Sequence, residues 1–271
     1  MRSGVALINP KGGVGKTSVA LGLASAAWAA NDQVLVVDLD PLGAATWSLG
    51  ADPARTNRSF ADVLRSSRPG TLRDAIVASS WGETVDLVPA SPRLAGHDGL
   101  DASAEELEVV AAALDGLDER YDAILIDCAP RLGQLAMWAL AAADHALLVV
   151  EPSEFALRGI APAAALVDAL AVEGNPAVGV EGIVVNKLST KSVENERRYA
   201  QIQEMGRPVP VWHPAVPERI VVPTAAAERR PVHAYGPKVT DVTDAFDHLW
   251  LRTRRTVLRT GATGPNPKSE V

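Results

Sequence analysis

A chain of 271 residues, 47% hydrophobic, is long enough to bury the core of one α/β domain, and no Pro/Gly/Ser-rich linker divides it. Its single cysteine, Cys128, excludes an internal disulfide framework and cannot alone hold a metal or an iron–sulfur cluster, which fits a reducing cytoplasm. The net charge of −7 argues against a generally basic nucleic-acid binder, yet Lys187 to Arg259 holds 13 Lys+Arg against 8 Asp+Glu, so an acidic body carries a basic C-terminal third. The longest apolar runs, such as Ala136 to Ala143, are too short to span a bilayer, and the first strand follows Met1-Arg-Ser-Gly directly. Neither a signal peptide nor a membrane span is expected.

In chain order, Val5-Ala-Leu-Ile-Asn9 reads as a buried strand, Pro10-Lys-Gly-Gly-Val-Gly-Lys-Thr17 as a glycine-rich loop, and the residues up to Ala30 as a helix. Strand, glycine loop, helix is the setting of a phosphate-binding P-loop. Gly12, Gly13 and Gly15 let the backbone turn its N–H groups, with those of Val14 and Ser18, toward phosphate oxygens, and the helix N-terminus adds positive dipole. Lys16 then reaches the β- and γ-phosphates, and the Thr17 hydroxyl ligates Mg²⁺. One departure stands out: Pro10 occupies the position of the first glycine, and an additional lysine, Lys11, opens the loop.

Strands are expected at Val34 to Asp38, Val85 to Val88, Ala123 to Asp127, Ala146 to Val150, Val180 to Val185 and Val209 to Trp212, with helices between most of them. Between Ala51 and Leu100 helices are expected at Ser59 to Arg65 and Thr71 to Ser79. Further helices are expected at Ser103 to Leu117, around Lys191 and Arg197-Arg198, and at Val242 to Arg259, followed by a flexible polar tail from 261 to 271. Runs such as Val34 to Val37 are apolar on both faces, as a covered parallel sheet requires. The fold class is therefore α/β, a doubly wound and mainly parallel sheet with helices on both faces, in a single domain over 1–260. Loops after its strands gather at one edge, where ligands collect.

Two acidic strand ends belong to that edge, Asp38-Leu-Asp40-Pro and Asp127-Cys-Ala-Pro130. Asp38 and Asp127 are placed to hold Mg²⁺ directly or through water. Where many P-loop ATPases carry a Glu after the second acid, this chain has Cys128. Asp40, two residues beyond Asp38 on the same side of an extended segment, is the remaining candidate to orient an attacking water. A third strand end, Gly182-Ile-Val-Val-Asn186, offers an amide able to pair with donor and acceptor atoms of a purine.

The sequence Lys11-Gly-Gly-Val-Gly-Lys-Thr17 resembles the deviant Walker A motif of the ParA/MinD family of ATPases. Asp38-Leu-Asp40-Pro, Asp127-Cys-Ala-Pro-Arg-Leu-Gly133 and the segment from Val216-Pro217 continue the likeness to the ParA branch, from Val5 to about Leu251. The resemblance implies that Lys11 crosses a dimer interface to a partner's ATP, giving an ATP-sandwich homodimer. It implies that Asp40 positions the water, that Lys11 and Lys16 stabilise the transferred phosphoryl group, and that Asn186 and Pro217 lie by the adenine. It further implies a cytoplasmic, nucleoid-associated protein that binds double-stranded DNA non-specifically, with a ParB-like activator and slow hydrolysis. Candidate DNA contacts are Lys191, Arg197, Arg198, Arg219, Arg229 and Arg230. Departures are Glu218 and Val221 where the family has arginines, and Leu42 and Ala44 where it has Gln and Asn. The alternatives are a MinD-like membrane-associated ATPase, since the last helix is basic and amphipathic, and a nucleotide-holding regulatory module with little hydrolysis.

Overall fold

The computed structural model describes residues 4–55, 59–62, 71–97, 101–114, 116–117, 119–189, 191–205 and 209–262. Its strands are β1 (Gly4–Ile8), β2 (Val34–Asp38), β3 (Val77–Ala78), β4 (Val85–Val88), β5 (Ala123–Asp127), β6 (His145–Val150), β7 (Gly179–Val185) and β8 (Val211–Trp212). The helices are α1 (Lys16–Ala30), α2 (Ala44–Ser48), α3 (Ala104–Ala113), α4 (Gln134–Ala142), α5 (Glu154–Glu173), α6 (Val193–Met205), α7 (Val221–Ala227) and α8 (Thr240–Ala262).

Because helices cover both faces, β1, β2, β5 and β6 are buried at every residue. The eight strands form one sheet in the order β3-β4-β2-β5-β1-β6-β7-β8, parallel throughout except for β3. On one face α1, α7 and α8 bury Val19, Leu23, Ala225, Phe246 and Trp250. On the other, α3 to α6 bury Leu107, Trp138, Val167, Leu170 and Ile202. Gly22 in α1 faces the ring of Phe246, and a Cβ there would lie 2.1 Å from it, so α1 and α8 approach as closely as they do only because Gly22 has no side chain.

The register that matters for chemistry is β2 against β5, which pairs Asp38 with Asp127, and β1 against β5, which pairs Leu7 with Asp127. All three strands therefore end at one edge. The seven expected strands are present, within two residues at their ends.

The polar region differs. Instead of a helix from Thr71 to Ser79, residues Thr71–Ala75 make a 3₁₀ turn and β3 follows, antiparallel to β4 through Val77 with Leu87 and Ala78 with Asp86. Both β3 residues are exposed, so no apolar alternation marks the strand; a tertiary partner decides it. Residues 60–62 are helical, while the rest of the expected Ser59 to Arg65 helix from residue 63 on lies outside the described residues, as do 263–271 of the expected tail. Helix α3 starts on a capping box between Ser103 and Glu106. It stops short of Leu117 because Gly116 turns left-handed at φ 76°.

Candidate nucleotide site

The glycine loop leaves β1 with Gly13 at φ 79° and Gly15 at φ 90°, both conformations that favour residues without a Cβ. Gly15 is also the N-cap of α1, so the loop's N–H groups and the helix dipole converge. A Cβ on Gly15 would collide with the amide nitrogen of Asn186 at 2.1 Å, and that amide donates to the Val14 carbonyl at 2.9 Å. Asn186 thus clamps the loop from the end of β7.

Lys16 is buried, its ammonium 3.2 Å from the carbonyl of Asn9. Burial holds its pKa below the ordinary lysine value, with Asp127 and Asp40 opposing that shift. The Thr17 hydroxyl donates to Asp127 Oδ2 at 2.7 Å, while Asp127 Oδ1 is buried with no partner among the described residues. An orphaned carboxylate oxygen beside a threonine hydroxyl fits a hard cation that keeps several waters and takes phosphate oxygens. Burial, then repulsion from Asp38, raises Asp127 to about 8.

Asp38 is fully buried and raised to about 6, mainly by burial. Its Oδ2 accepts from both the backbone and the hydroxyl of Thr46 at 2.7 Å, and its Oδ1 from the Asp40 N–H at 3.1 Å. Both oxygens of Asp38 are therefore engaged within the chain, whereas only one of Asp127's is. Thr46, the first residue in this assembly without a motif to mark it, also receives the Ala90 N–H at 2.8 Å and so fixes β2 against the segment after β4. Asp40 is partly exposed; its Oδ1 accepts from the Leu42 N–H at 2.9 Å.

A cleft of about 660 Å³ runs over Gly12, Gly13, Gly15, Lys16, Thr17 and Ser18 to Asp40 on one side and to Asn186, Pro217 and Ile220 on the other. The structure thus brings together the loop, Asp40, Asn186 and Pro217. Cys128 also faces this cleft, and burial pushes its thiol well above the ordinary thiol range, so it stays a neutral wall. Lys11 lies at the mouth of the loop, its ammonium paired with Glu151 of the same chain.

The six basic candidates divide between the layers. Lys191, Arg197 and Arg198 belong to α6 and its approach; Arg198 pairs with Glu194 at 2.7 Å and Glu154 at 3.3 Å. Arg219, Arg229 and Arg230 flank α7 on the opposite face. Arg219 pairs with Asp241, Arg229 stacks 3.6 Å over the ring of Trp47, and Arg230 lies 4.0 Å from Glu228. Among the described residues no helix is long and apolar enough to cross a membrane.

Fold and loop together define a P-loop protein of the deviant Walker A type. A family model described as an AAA domain, AAA_31, matches residues 3–180. Myxococcus xanthus chromosome partitioning protein ParA is 30% identical over 241 residues, covering 86% of this chain and 82% of the relative. Among solved structures, a Mycobacterium smegmatis protein described as cobyrinic acid a,c-diamide synthase, with bound ADP and magnesium, superposes with a TM-score of 0.77 at 25% identity over all of both chains. Pyrococcus horikoshii septum site-determining protein MinD, complexed with Mg-ADP, gives 0.73 at 25% identity, over 98% of this chain and 100% of that one. The chain belongs to the ParA/MinD family of P-loop ATPases.

Proposed function

We propose that this protein is a ParA-like ATP switch, which dimerises around two ATP·Mg²⁺, binds DNA non-specifically as the dimer, and lets go after slow hydrolysis stimulated by a ParB-like partner. The output would be segregation or positioning of a chromosome, plasmid or other cargo. The observation that carries the nucleotide part is the Thr17–Asp127 pair under the glycine loop, with one carboxylate oxygen left unmatched. The relatives and neighbours above, one a partitioning protein and two holding ADP with magnesium, support it.

In this reading the loop N–H groups and Lys16 bind the phosphates, and Thr17 and Asp127 hold Mg²⁺, with Asp38 behind them. Bound Mg²⁺ supplies charge neutralisation at the phosphate oxygens. Asp40 orients water toward the γ-phosphate, and Asn186 and Pro217 line the base. Lys11 acts across the dimer. Two basic faces aligned by dimerisation make phosphate contacts together, so DNA affinity becomes nucleotide-dependent. Electrophoretic mobility of non-specific duplex DNA with ATP, ADP and no nucleotide, over a salt series, tests this. Retardation with ATP alone that fades with salt is expected; equal mobility in all three states removes the DNA role.

One observation favours a second reading. Leu251 and Leu258 of α8 are 50% and 62% exposed beside exposed Arg255 and Arg259, a basic and apolar stripe suited to an anionic lipid surface. Co-sedimentation with anionic liposomes under ATP, without DNA retardation, would replace the nucleoid by a membrane.

A further inference from the structure

The charged cluster that phosphate binding leaves unexplained lies just past the end of β6. Asn9 braces β1 to β6: its Nδ2 donates to the Val149 carbonyl at 2.7 Å, and its Oδ1 accepts the Lys11 N–H at 2.8 Å. That brace sets Lys11 beside Glu151, the residue after β6. Glu151 Oε1 takes the Lys11 ammonium, with the Ser153 hydroxyl 3.4 Å from the same nitrogen. The other carboxylate oxygen is 4.0 Å from the ammonium of Lys187, which itself donates to the carbonyl of Gly13. One carboxylate therefore stands between two lysines at the entrance to the glycine loop. The Lys11, Glu151 and Lys187 side chains are 34%, 24% and 41% exposed, so these pairings are neither loose in solvent nor locked in the core.

A lysine engaged by a carboxylate of its own chain cannot at the same time neutralise a phosphate of another. We propose that Glu151 is a positioning residue that holds Lys11 folded onto its own chain until a second, ATP-loaded copy presents its phosphates, and that Lys187 takes over the carboxylate as Lys11 leaves. The proposal rests on Lys11 acting across the dimer. Lys187 needs only a small side-chain movement to close its 4.0 Å gap, so Glu151 stays paired through the exchange and no half-buried charge is stranded. While Lys11 is engaged, the carboxylate competes with the incoming phosphates and raises the concentration at which two copies associate.

Two measurements on Glu151→Gln test this. In nucleotide-free protein, acylation of Lys11 by an amine-reactive ester, followed by mass spectrometry, should proceed severalfold faster than in the parent. With Mg²⁺ and a saturating non-hydrolysable ATP analogue, sedimentation velocity should find the variant dimerising about 5-fold more tightly. Glu151→Asp should move both readings back toward the parent, which a mere loss of packing would not do. Lys187→Ala should loosen the dimer in the parent background and have no effect in the Glu151→Gln background. Unchanged Lys11 labelling overturns the proposal. Faster labelling with unchanged association, in a parent that does dimerise, overturns the exchange and leaves the ATP-bridged dimer standing. A parent and variant both monomeric at saturation remove the dimer itself, and the exchange with it.

Discussion

The edge where β1, β2 and β5 end and the basic C-terminal third both concentrate charge, but in opposite ways. At the edge the acids are buried and incompletely matched: Asp38 and Asp127 are fully enclosed, and Asp127 Oδ1 lacks a partner among the described residues. In the C-terminal third the arginines are partly exposed and already engaged, Arg219 by Asp241, Arg230 by Glu228 and Arg229 by Trp47. A buried carboxyl with an unmatched oxygen is costly to ionise, so a cation pairing with it would offset that cost and displace its proton. Exposed arginines paired on their own chain contribute little to stability and can be redirected to phosphate at small expense. The first region is specified for one ligand; the second is available to one.

Substitutions at the two regions should differ accordingly. Lys16→Ala, which removes a buried cation facing the phosphates, should weaken ATP affinity about 100-fold or more by calorimetric titration. An unchanged constant would break the assignment of the cleft. Asp40→Ala should lower the hydrolysis rate by about 100-fold while nucleotide still binds, as measured by phosphate release. Activity surviving that change would shift the water-orienting role to another group.

The enclosed acids make a pH prediction. Asp127 has a folded pKa near 8 against an ordinary 3.8, so between those values the folded state holds the extra proton and stability falls as pH rises. Asp127→Asn should flatten that decline and, without Mg²⁺, leave the protein more stable than the parent above pH 8, by roughly 1–3 kcal/mol in urea unfolding. A parent whose stability across that range matches the variant's would show that the carboxylate is not desolvated.

Arg229→Ala with Arg230→Ala should weaken DNA binding severalfold and reduce the salt slope by about 1–2. Unchanged binding would move the interface to the α6 face.

The smallest effect belongs to a buried group inside the basic third. His233 Nδ1 is 2.7 Å from the Ser25 hydroxyl and its Nε2 3.1 Å from Asp247, tying the segment before α8 to α1. Burial keeps His233 below its ordinary 6.5, so the stability it contributes is present above that value and declines as pH falls beneath it. His233→Gln should remove that part of the acid-side decline in thermal melts.

Much of this was legible in the sequence because the relevant signals are local. Continuous apolar runs give buried strands, and the glycine loop and two acidic strand ends follow directly from strand order. Thr46, Asn9 and Glu151 carry no mark in the sequence. Each acts through a partner distant in sequence, Asp38 aside, and neither a lone Thr nor a Glu after a strand has a pattern of its own. Strand β3 escaped for the same reason, since its only reason to be extended is the hairpin partner β4. The sequence shows how many basic residues there are, but which of them are engaged, and on which layer, depends on tertiary pairing.

The missing side chain at Gly22 has a mechanical result. Helix α1 begins at the glycine loop and is seated against Phe246 with no room for even a methyl group, so the two cannot slide past each other without displacing that ring. A methyl at this one position would have to push the Phe246 ring aside, so the spacing of the two helices is set from within α1 itself.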